Sequence, residues 1–419
     1  MEPGHQKRSR AISLVKRCSL RPEPRGHCPK MTGFDIIVVG AGPVGLAFAA
    51  SLGASNLKVA LIERRSVADL GQPAFDAREI ALTHASVKIL RDLGAWDAIP
   101  YSEKSPLLGA RVLNGSNPFA LSFDAPAGCE KPLAILVPNH WIRSALFGVV
   151  RTLEHVSIFA GSNVVAAQVK DGGATVNLSD GRQLQGRLLV AADSRLSRLR
   201  EMLGIAANVN RLGCSMLICR VRHELHHQRI ATEWFDDKQT IAMLPLATGV
   251  SSLLVTLPAN EVSRLVLMND AAFVAEMNQR CGGRLGKMSL ASSRHAYSLV
   301  TTWADRFWMP RAALIGDAAV GMHPVTAHGF NIGLGGQHRL ANGILEAWRK
   351  GTDIADPTLL RRYETRLRLS AAPLYHATNM LVKLYTDERP LAQVARHVGL
   401  RLGQNLPFVR RGISAVLRR

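Results

Sequence analysis

Between Phe34 and Arg64, an apolar run, three glycines, a small-residue stretch, a second apolar run and an acid follow in fixed order. Ile36–Val39 is wholly apolar and β-branched, which reads as a buried parallel strand. Gly40, Gly42 and Gly45 keep G-x-G-x-x-G spacing. Gly40 permits the tight turn off the strand. Gly42 lets a pyrophosphate approach the backbone, and Gly45 lets helix and strand pack closely. Pro43 and Val44 open a helix running to about Gly53, whose free N–H groups and partial positive charge face the phosphates. The strand from Val59 to Ile62 ends on Glu63, placed to accept hydrogen bonds from a ribose diol, with Arg64 beside it in the same binding set. These parts, in this order, imply a dinucleotide-binding βαβ unit.

The same run raises a membrane alternative. Residues 36–57, 22 in all, carry no charged side chain and could cross a bilayer. However, Gly-x-Gly-Pro breaks the run after one short strand, and the run ends in a ribose-type acid. No other stretch approaches spanning length, so no transmembrane helix is expected.

A length of 419 residues allows two or three domains, and 47% hydrophobic residues supply a large core. The formal charge of +20 is concentrated at the ends. Residues 1–30 hold eight basic and two acidic side chains, and residues 391–419 hold six arginines and no acid. Aromatics are only 5%, and no basic stretch interleaves them for base stacking, which argues against nucleic acid as partner. An anionic membrane surface fits better. The cysteines (Cys18, Cys28, Cys129, Cys214, Cys219, Cys281) form no C-x-x-C pair and read as reduced thiols of a cytosolic compartment. Residues 1–30 lack periodicity and end just before Met31. They read as a disordered basic leader, a targeting peptide or a misassigned start, and are set apart from the fold.

Residues 75–100 read as one helix, with Ile80, Thr83, Val87, Leu90 and Leu93 at helical spacing and Gly94 as the stop. Residues 138–150 read as a second helix. Strand alternation fills 155–190, with Asp180-Gly181 as a hairpin turn, and returns over 213–258. Residues 263–281 read as a helix and 313–319 as a strand entering a Gly-rich loop. A helix from Gly329 to Arg349 follows, and the chain from Asp356 reads as helical. Strand–helix alternation around a strand-rich middle implies an α/β nucleotide domain interrupted by a second sheet.

Two further stretches stand out: Leu188 to Arg200 (LLVAADSRLSRLR) and Ala313 to Gly335 (ALIGDAAVGMHPVTAHGFNIGLG). With the first, they resemble the flavoprotein aromatic hydroxylases of the para-hydroxybenzoate hydroxylase type. That family carries G-x-G-x-x-G, A-D-G-x-x-S-x-x-R and G-D-A-A-H-x-x-x-P in this order, and the resemblance covers about residues 33 to 350. Within it the wording is most similar to the ubiquinone-biosynthesis hydroxylases (UbiH, UbiF, UbiM), and HPVTAHGFN at 323–331 is like the UbiM subgroup. Asp193, Ser197, Arg200, Asp317, Pro324, Gly329 and Asn331 match the family. Ser194 stands for its Gly, Val320 for its His, and Ala327-His328 for its Gly-Gln.

The resemblance implies a Rossmann-like FAD-binding domain (residues 31–110, 135–205 and 300–350). It also implies an inserted mixed β-sheet substrate domain (111–134 and 206–299) and a helical, basic C-terminus (351–419). Gly316 and Asp317 would meet the flavin ribityl chain. Pro324, Gly329, Phe330 and Asn331 would lead into a helix whose N-terminus faces the flavin pyrimidine. A helix terminus contributes about 0.3–1 kcal/mol toward the negative charge of the reduced ring. Arg78 and Arg143 are similar to family arginines beside the FAD phosphates, although a solvated helix arginine looks the same as Arg143. Asp193 and Arg200 read as structural or as facing a pyridine nucleotide.

The implied activity is an FAD-dependent monooxygenase with NAD(P)H as electron donor. It would use O2 to hydroxylate the ring of a polyprenylated phenol or quinol on the route to ubiquinone, with the C5 step favoured. No acid–base residue is singled out. Six arginines from Arg396 to Arg419, interleaved with Leu391, Val394, Val398, Leu402, Phe408 and Leu417, suit a cytoplasmic protein held peripherally at the inner membrane. Each cation adds roughly 1 kcal/mol at an anionic surface. An ordinary solvated helix is the alternative. Other ubiquinone-biosynthesis proteins are possible partners. A prenyl-chain reductase on the same scaffold and a non-catalytic subunit of a ubiquinone-synthesis complex remain as rival functions.

His223-Glu224-Leu225-His226-His227 matches the H-E-x-x-H zinc pattern, which requires a helix. It lies between the strand-like runs SMLICRV and IATEWF and reads as a loop, so no metal site is expected.

Overall fold

The computed structural model describes residue 1 and residues 33–114, 120–124, 132–236, 239–323 and 328–386. The basic leader, Cys18, Cys28, Cys129, Pro324 and the arginine-rich stretch 391–419 lie outside the described residues. The chain divides after Lys30, and the second unit contains every element that follows.

In chain order the first stretch gives β1 (Phe34–Val39), α1 (Pro43–Ser51), β2 (Val59–Glu63), α2 (Val67–Gly71), β3 (Glu79–Leu82) and α3 (His84–Asp92). Next come β4 (Ser105–Leu107), β5 (Gly109–Asn114), β6 (Ala120–Asp124), β7 (Ala134–Pro138) and α4 (Asn139–Val150). They are followed by β8 (Val156–Ala160), β9 (Val164–Lys170), β10 (Gly173–Leu178), β11 (Gln183–Ala191) and α5 (Arg198–Met202). The strand-rich middle holds β12 (Ala207–His223), β13 (Ile230–Asp236), β14 (Gln239–Pro245) and β15 (Val250–Pro258). It continues with α6 (Ala259–Leu267), α7 (Asp270–Cys281), β16 (Met288–Leu290) and β17 (His295–Ala304). The last stretch holds β18 (Trp308–Met309), β19 (Ala312–Leu314), β20 (Val320–Gly321), α8 (Gly329–Arg349) and α9 (Pro357–Thr386).

The first sheet runs β18-β19-β11-β1-β2-β8. From β19 to β8 neighbouring strands are parallel. β1 lies inside it, so Ile36, Ile37 and Val38 are fully buried, which accounts for the unbroken apolar run. β9 and β10 join β11 as an antiparallel meander that turns at Asp180-Gly181.

The second sheet runs β20-β17-β12-β15-β14-β13-β5-β6, with β16 beside β12. Its strands alternate. Leu217, Cys219, Trp234, Ile241, Met243, Leu253 and Val255 form one core with Val262 and Leu265 of α6 and with Phe273 and Met277 of α7. Each buried Leu, Ile or Val there contributes about 1.5–3 kcal/mol. The intervening residues face the opposite way. Met216, Ile218 and Leu299 meet Ala77, with Phe75, Leu254 and Tyr297 packed against them.

Two helices and one strand differ from expectation: of the strand expected over 313–319, only Ala312–Leu314 pairs, and Gly316–Ala318 form a 3-10 turn where Gly316 takes a positive φ. Residues 75–100 do not form one helix, because 79–82 are strand β3, paired antiparallel with β7, and α3 begins only at His84. Thr83 stops the helix from extending backwards: its backbone is extended and its hydroxyl accepts from the Ser86 N–H as an N-cap. Residues 263–281 are two helices, parted where Met268 turns extended and the Asn269 side chain caps α7 by accepting from the Ala272 N–H.

Candidate functional site

One register row of the first sheet explains why three distant motifs meet. Val39 pairs with Ile62 on one side and with Ala191 on the other, and Ala191 pairs with Leu314. The residues leaving these strands therefore emerge side by side: Gly40, Glu63, Ala192-Asp193 and Ile315-Gly316. This is the carboxyl edge of a parallel sheet, where open α/β folds bind ligands. Gly40 takes φ +108°, and a Cβ there would stand 2.5 Å from the Ala192 carbonyl oxygen. Gly316 takes φ +59° beside Val44 of α1. A Cβ on Gly333 of α8 would stand 3.1 Å from Val44 Cγ2 and 3.2 Å from Gly316 Cα, so α8 presses directly on both motifs.

Gly42 is different. Its φ of −68° is ordinary, and a Cβ there would meet nothing within 4 Å. It is the N-cap of α1, and no side chain caps that helix. The open space therefore lies against uncapped N–H groups at a positive helix end, which is the form of a phosphate cradle. Arg143 lies on α4, the helix that packs against α1. It is 5% exposed and makes no hydrogen bond or ion pair among the described residues. Burial, and then the nearby Arg65 cation, push its pKa below the ordinary value, yet a guanidinium keeps its charge. The carboxylates of Asp76 and Glu63 act on it through space without bonding to it, so its guanidinium keeps donors for a bound anion. The residues present fit the diphosphate of a dinucleotide.

Glu63 accepts from the Ala41 N–H at 2.8 Å and from the Arg65 N–H at 3.2 Å, which fixes its carboxylate against the glycine turn. Arg64 is exposed just beyond it. Arg78 pairs with Asp76 at 2.6 Å, and Asn139 also donates to Asp76. Asp317 pairs with Arg195 at 2.8 Å through Oδ2. Asp193 Oδ2 accepts from the Leu199 N–H, while its Oδ1 is buried without a partner. Arg200 is 2% exposed and donates to the Arg195 and Ala318 carbonyls, so it ties the middle motif to the late one. Gly329, Phe330 and Asn331 open α8, which no side chain among the described residues caps.

Asn331 has a second commitment. Its Oδ1 accepts from the Thr83 N–H and its Nδ2 donates to the Ala81 carbonyl, which fastens β3 to α8. Asn331→Ala leaves two part-buried backbone groups unpaired and is expected to cost about 2 kcal/mol or more. Thermal unfolding of the cofactor-free protein reads that loss, which contact with a cofactor alone would not produce.

Sequence reasoning missed Arg195 and the junction around Asp76 and Tyr297, whose hydroxyl donates to the Asp76 carbonyl. Arg195 lies inside a motif already singled out. Its pairing with Asp317, 122 residues away, has no local signal. The H-E-x-x-H segment begins on the last residue of β12 and continues in the connection to β13. His223 engages Leu225 O and Ser251 Oγ through its two ring nitrogens, and His227 Nε2 engages Ala247 O. Burial pushes the thiols of Cys219 and Cys281 up to about 12, so both are unreactive.

Residues 33–378 match the FAD binding domain family. The chain is 45% identical to the ubiquinone hydroxylase UbiM of Neisseria meningitidis, over 91% of this chain and 84% of that protein. It is 32% identical to the ubiquinone hydroxylase UbiL of Rhodospirillum rubrum, over 87% and 85%. Among solved structures it is similar in fold to the p-nitrophenol 4-monooxygenase PnpA of Pseudomonas putida. The TM-score is 0.74 at 18% identity, covering 92% of this chain and 98% of that one.

Proposed function

Because this chain belongs to the FAD binding domain family and is an FAD-dependent monooxygenase related to the ubiquinone hydroxylases, we propose that it hydroxylates the ring of a polyprenylated ubiquinone precursor. The observation that carries this reading is the open space at Gly42 against the uncapped α1 N-terminus, in a chain so similar to ubiquinone hydroxylases. NAD(P)H is the electron donor in this reading, and the C5 position of a demethoxyubiquinol-type ring is the favoured target.

The protein's own tasks are to bind, orient and exclude water. The α1 N-terminus with Gly40, Gly42, Gly45 and Arg143 would hold the diphosphate, and Glu63 with Arg64 would receive the ribose. Asp317, held by Arg195, would offer its remaining oxygen to the ribityl chain, and the start of α8 would lie toward the flavin ring. FAD, when bound, supplies the oxygen-activating redox chemistry. The inward face of the second sheet covers the ring to be hydroxylated and keeps water out.

No helix among the described residues is long and apolar enough to cross a membrane. Access to a lipid substrate is assigned to the basic C-terminal stretch and an anionic surface. Purified holoenzyme with a short-tailed prenylated phenol and NAD(P)H is expected to consume oxygen and yield the ring-hydroxylated product. NAD(P)H oxidation that saturates a prenyl double bond without using oxygen would overturn the reading in favour of a reductase.

A further inference from the structure

We propose that Glu233, on the face of the second sheet turned toward the first, receives a ring hydroxyl of the substrate. The proposal rests on the ring-hydroxylase reading and adds the residue that orients the ring.

The register defines the surroundings. One row crosses the sheet through His295, Ile218, Leu254, Ala242, Glu233 and Val112. Trp234, the next residue on β13, packs into the core under α6 and α7, so Glu233 points to the opposite face. That is the face on which Ile218 and Leu254 meet Phe75 and Ala77 of the nucleotide-binding part. Glu233 thus sits on the side toward the first sheet, flanked in register by Ala242 and Val112.

An apolar residue would suit this position better, because a carboxyl among apolar neighbours is costly unless it is satisfied. Glu233 has no hydrogen bond or ion pair among the described residues, yet it is only partly covered. Burial pushes its carboxyl up to about 8, and no charged neighbour contributes to that shift. Near neutral pH the group is therefore largely protonated, so it can both donate to and accept from a hydroxyl. A part-accessible, unsatisfied polar group flanked in register by Ala242 and Val112, on a face where Arg220 and Tyr297 already have partners, is free to read one hydroxyl of a bound molecule. A local rule broken without internal compensation is also what a functional position looks like.

The test uses the flavin-loaded enzyme with two probes, a short-tailed prenylated methoxyphenol and its methyl ether. Binding is read from the perturbation of the flavin absorbance. Wild type is expected to favour the phenol by about tenfold, as one buried hydrogen bond would give. Glu233→Leu is expected to bind the two equally, while Glu233→Gln keeps most of the preference. Thermal unfolding controls for folding. A raised carboxyl pKa makes the wild type lose stability relative to Glu233→Gln as pH rises from about 4.3 to about 8, and the two variants should differ least below that window. Retention of the phenol preference by Glu233→Leu would overturn the proposal while leaving ring hydroxylation intact. Failure of both probes to perturb wild-type flavin, with no hydroxylated product, would sink this proposal and the reading beneath it together.

Discussion

Gly42→Val is expected to leave the apoprotein folded and to strip it of flavin. The three motif glycines differ physically, and this variant isolates the one whose reason is a ligand. At Gly42 the backbone is ordinary and a Cβ meets open space, so an added side chain disturbs no protein atom. The folding cost is that of a poorer N-cap, no more than about 1 kcal/mol. The branched side chain then fills the volume against the α1 N-terminus that a diphosphate needs. Flavin affinity is expected to fall at least about 100-fold, or about 2.7 kcal/mol. Gly45→Ala should behave oppositely. Its Cβ would stand 2.0 Å from the Gly40 carbonyl oxygen and 3.2 Å from Ala192 Cβ. α1 would have to move off the sheet, and the overpacking costs about 1–3 kcal/mol or more in the apoprotein itself. Apoprotein melting temperatures and flavin content per mole of protein separate the two cases. A Gly42→Val protein purified as yellow as wild type would remove the cradle from the site.

What could be read in the sequence followed from how local its cause was. β1, α1 and β2 are specified within thirty residues by continuous burial and glycine spacing. The α8 bounds were readable for the same reason, since helical periodicity and a basic last turn are local. The 75–100 stretch misled because Ile80 and Leu82 suit either period over so few residues. The decisive partner of β3 is β7, more than fifty residues on. Asn331 shows the same limit at the site. Its motif position points to the flavin, whereas its carboxamide is spent on a backbone about 250 residues earlier in the chain. Arg195 and Glu233 escaped for the complementary reason. A charged residue in a strand or loop looks solvated until register shows which face it occupies.

Arg143→Leu should move apoprotein stability and flavin affinity in opposite directions. If Arg143 were a solvated helix arginine, its loss would change neither. The side chain is nearly buried, and the nearby Arg65 cation disfavours its charge further. In the apoprotein it is a desolvated charge that Asp76 and Glu63 offset only through space, with no direct hydrogen bond or ion pair among the described residues. Replacing buried charge by a leucine of suitable shape is expected to stabilise the apoprotein by about 1–4 kcal/mol. With the diphosphate present, the same guanidinium gains charge-assisted hydrogen bonds of about 1.5–3 kcal/mol, so the variant should lose about ten- to a hundredfold in flavin affinity. The melting curves of the two proteins should therefore converge or cross as FAD is titrated, because ligand binding adds more stability to the wild type. Removing the cation should also flatten the salt dependence of flavin binding. A variant that loses apoprotein stability and flavin affinity in parallel would identify Arg143 as a packing residue of α4, and the anion would then be held by the helix N-terminus alone.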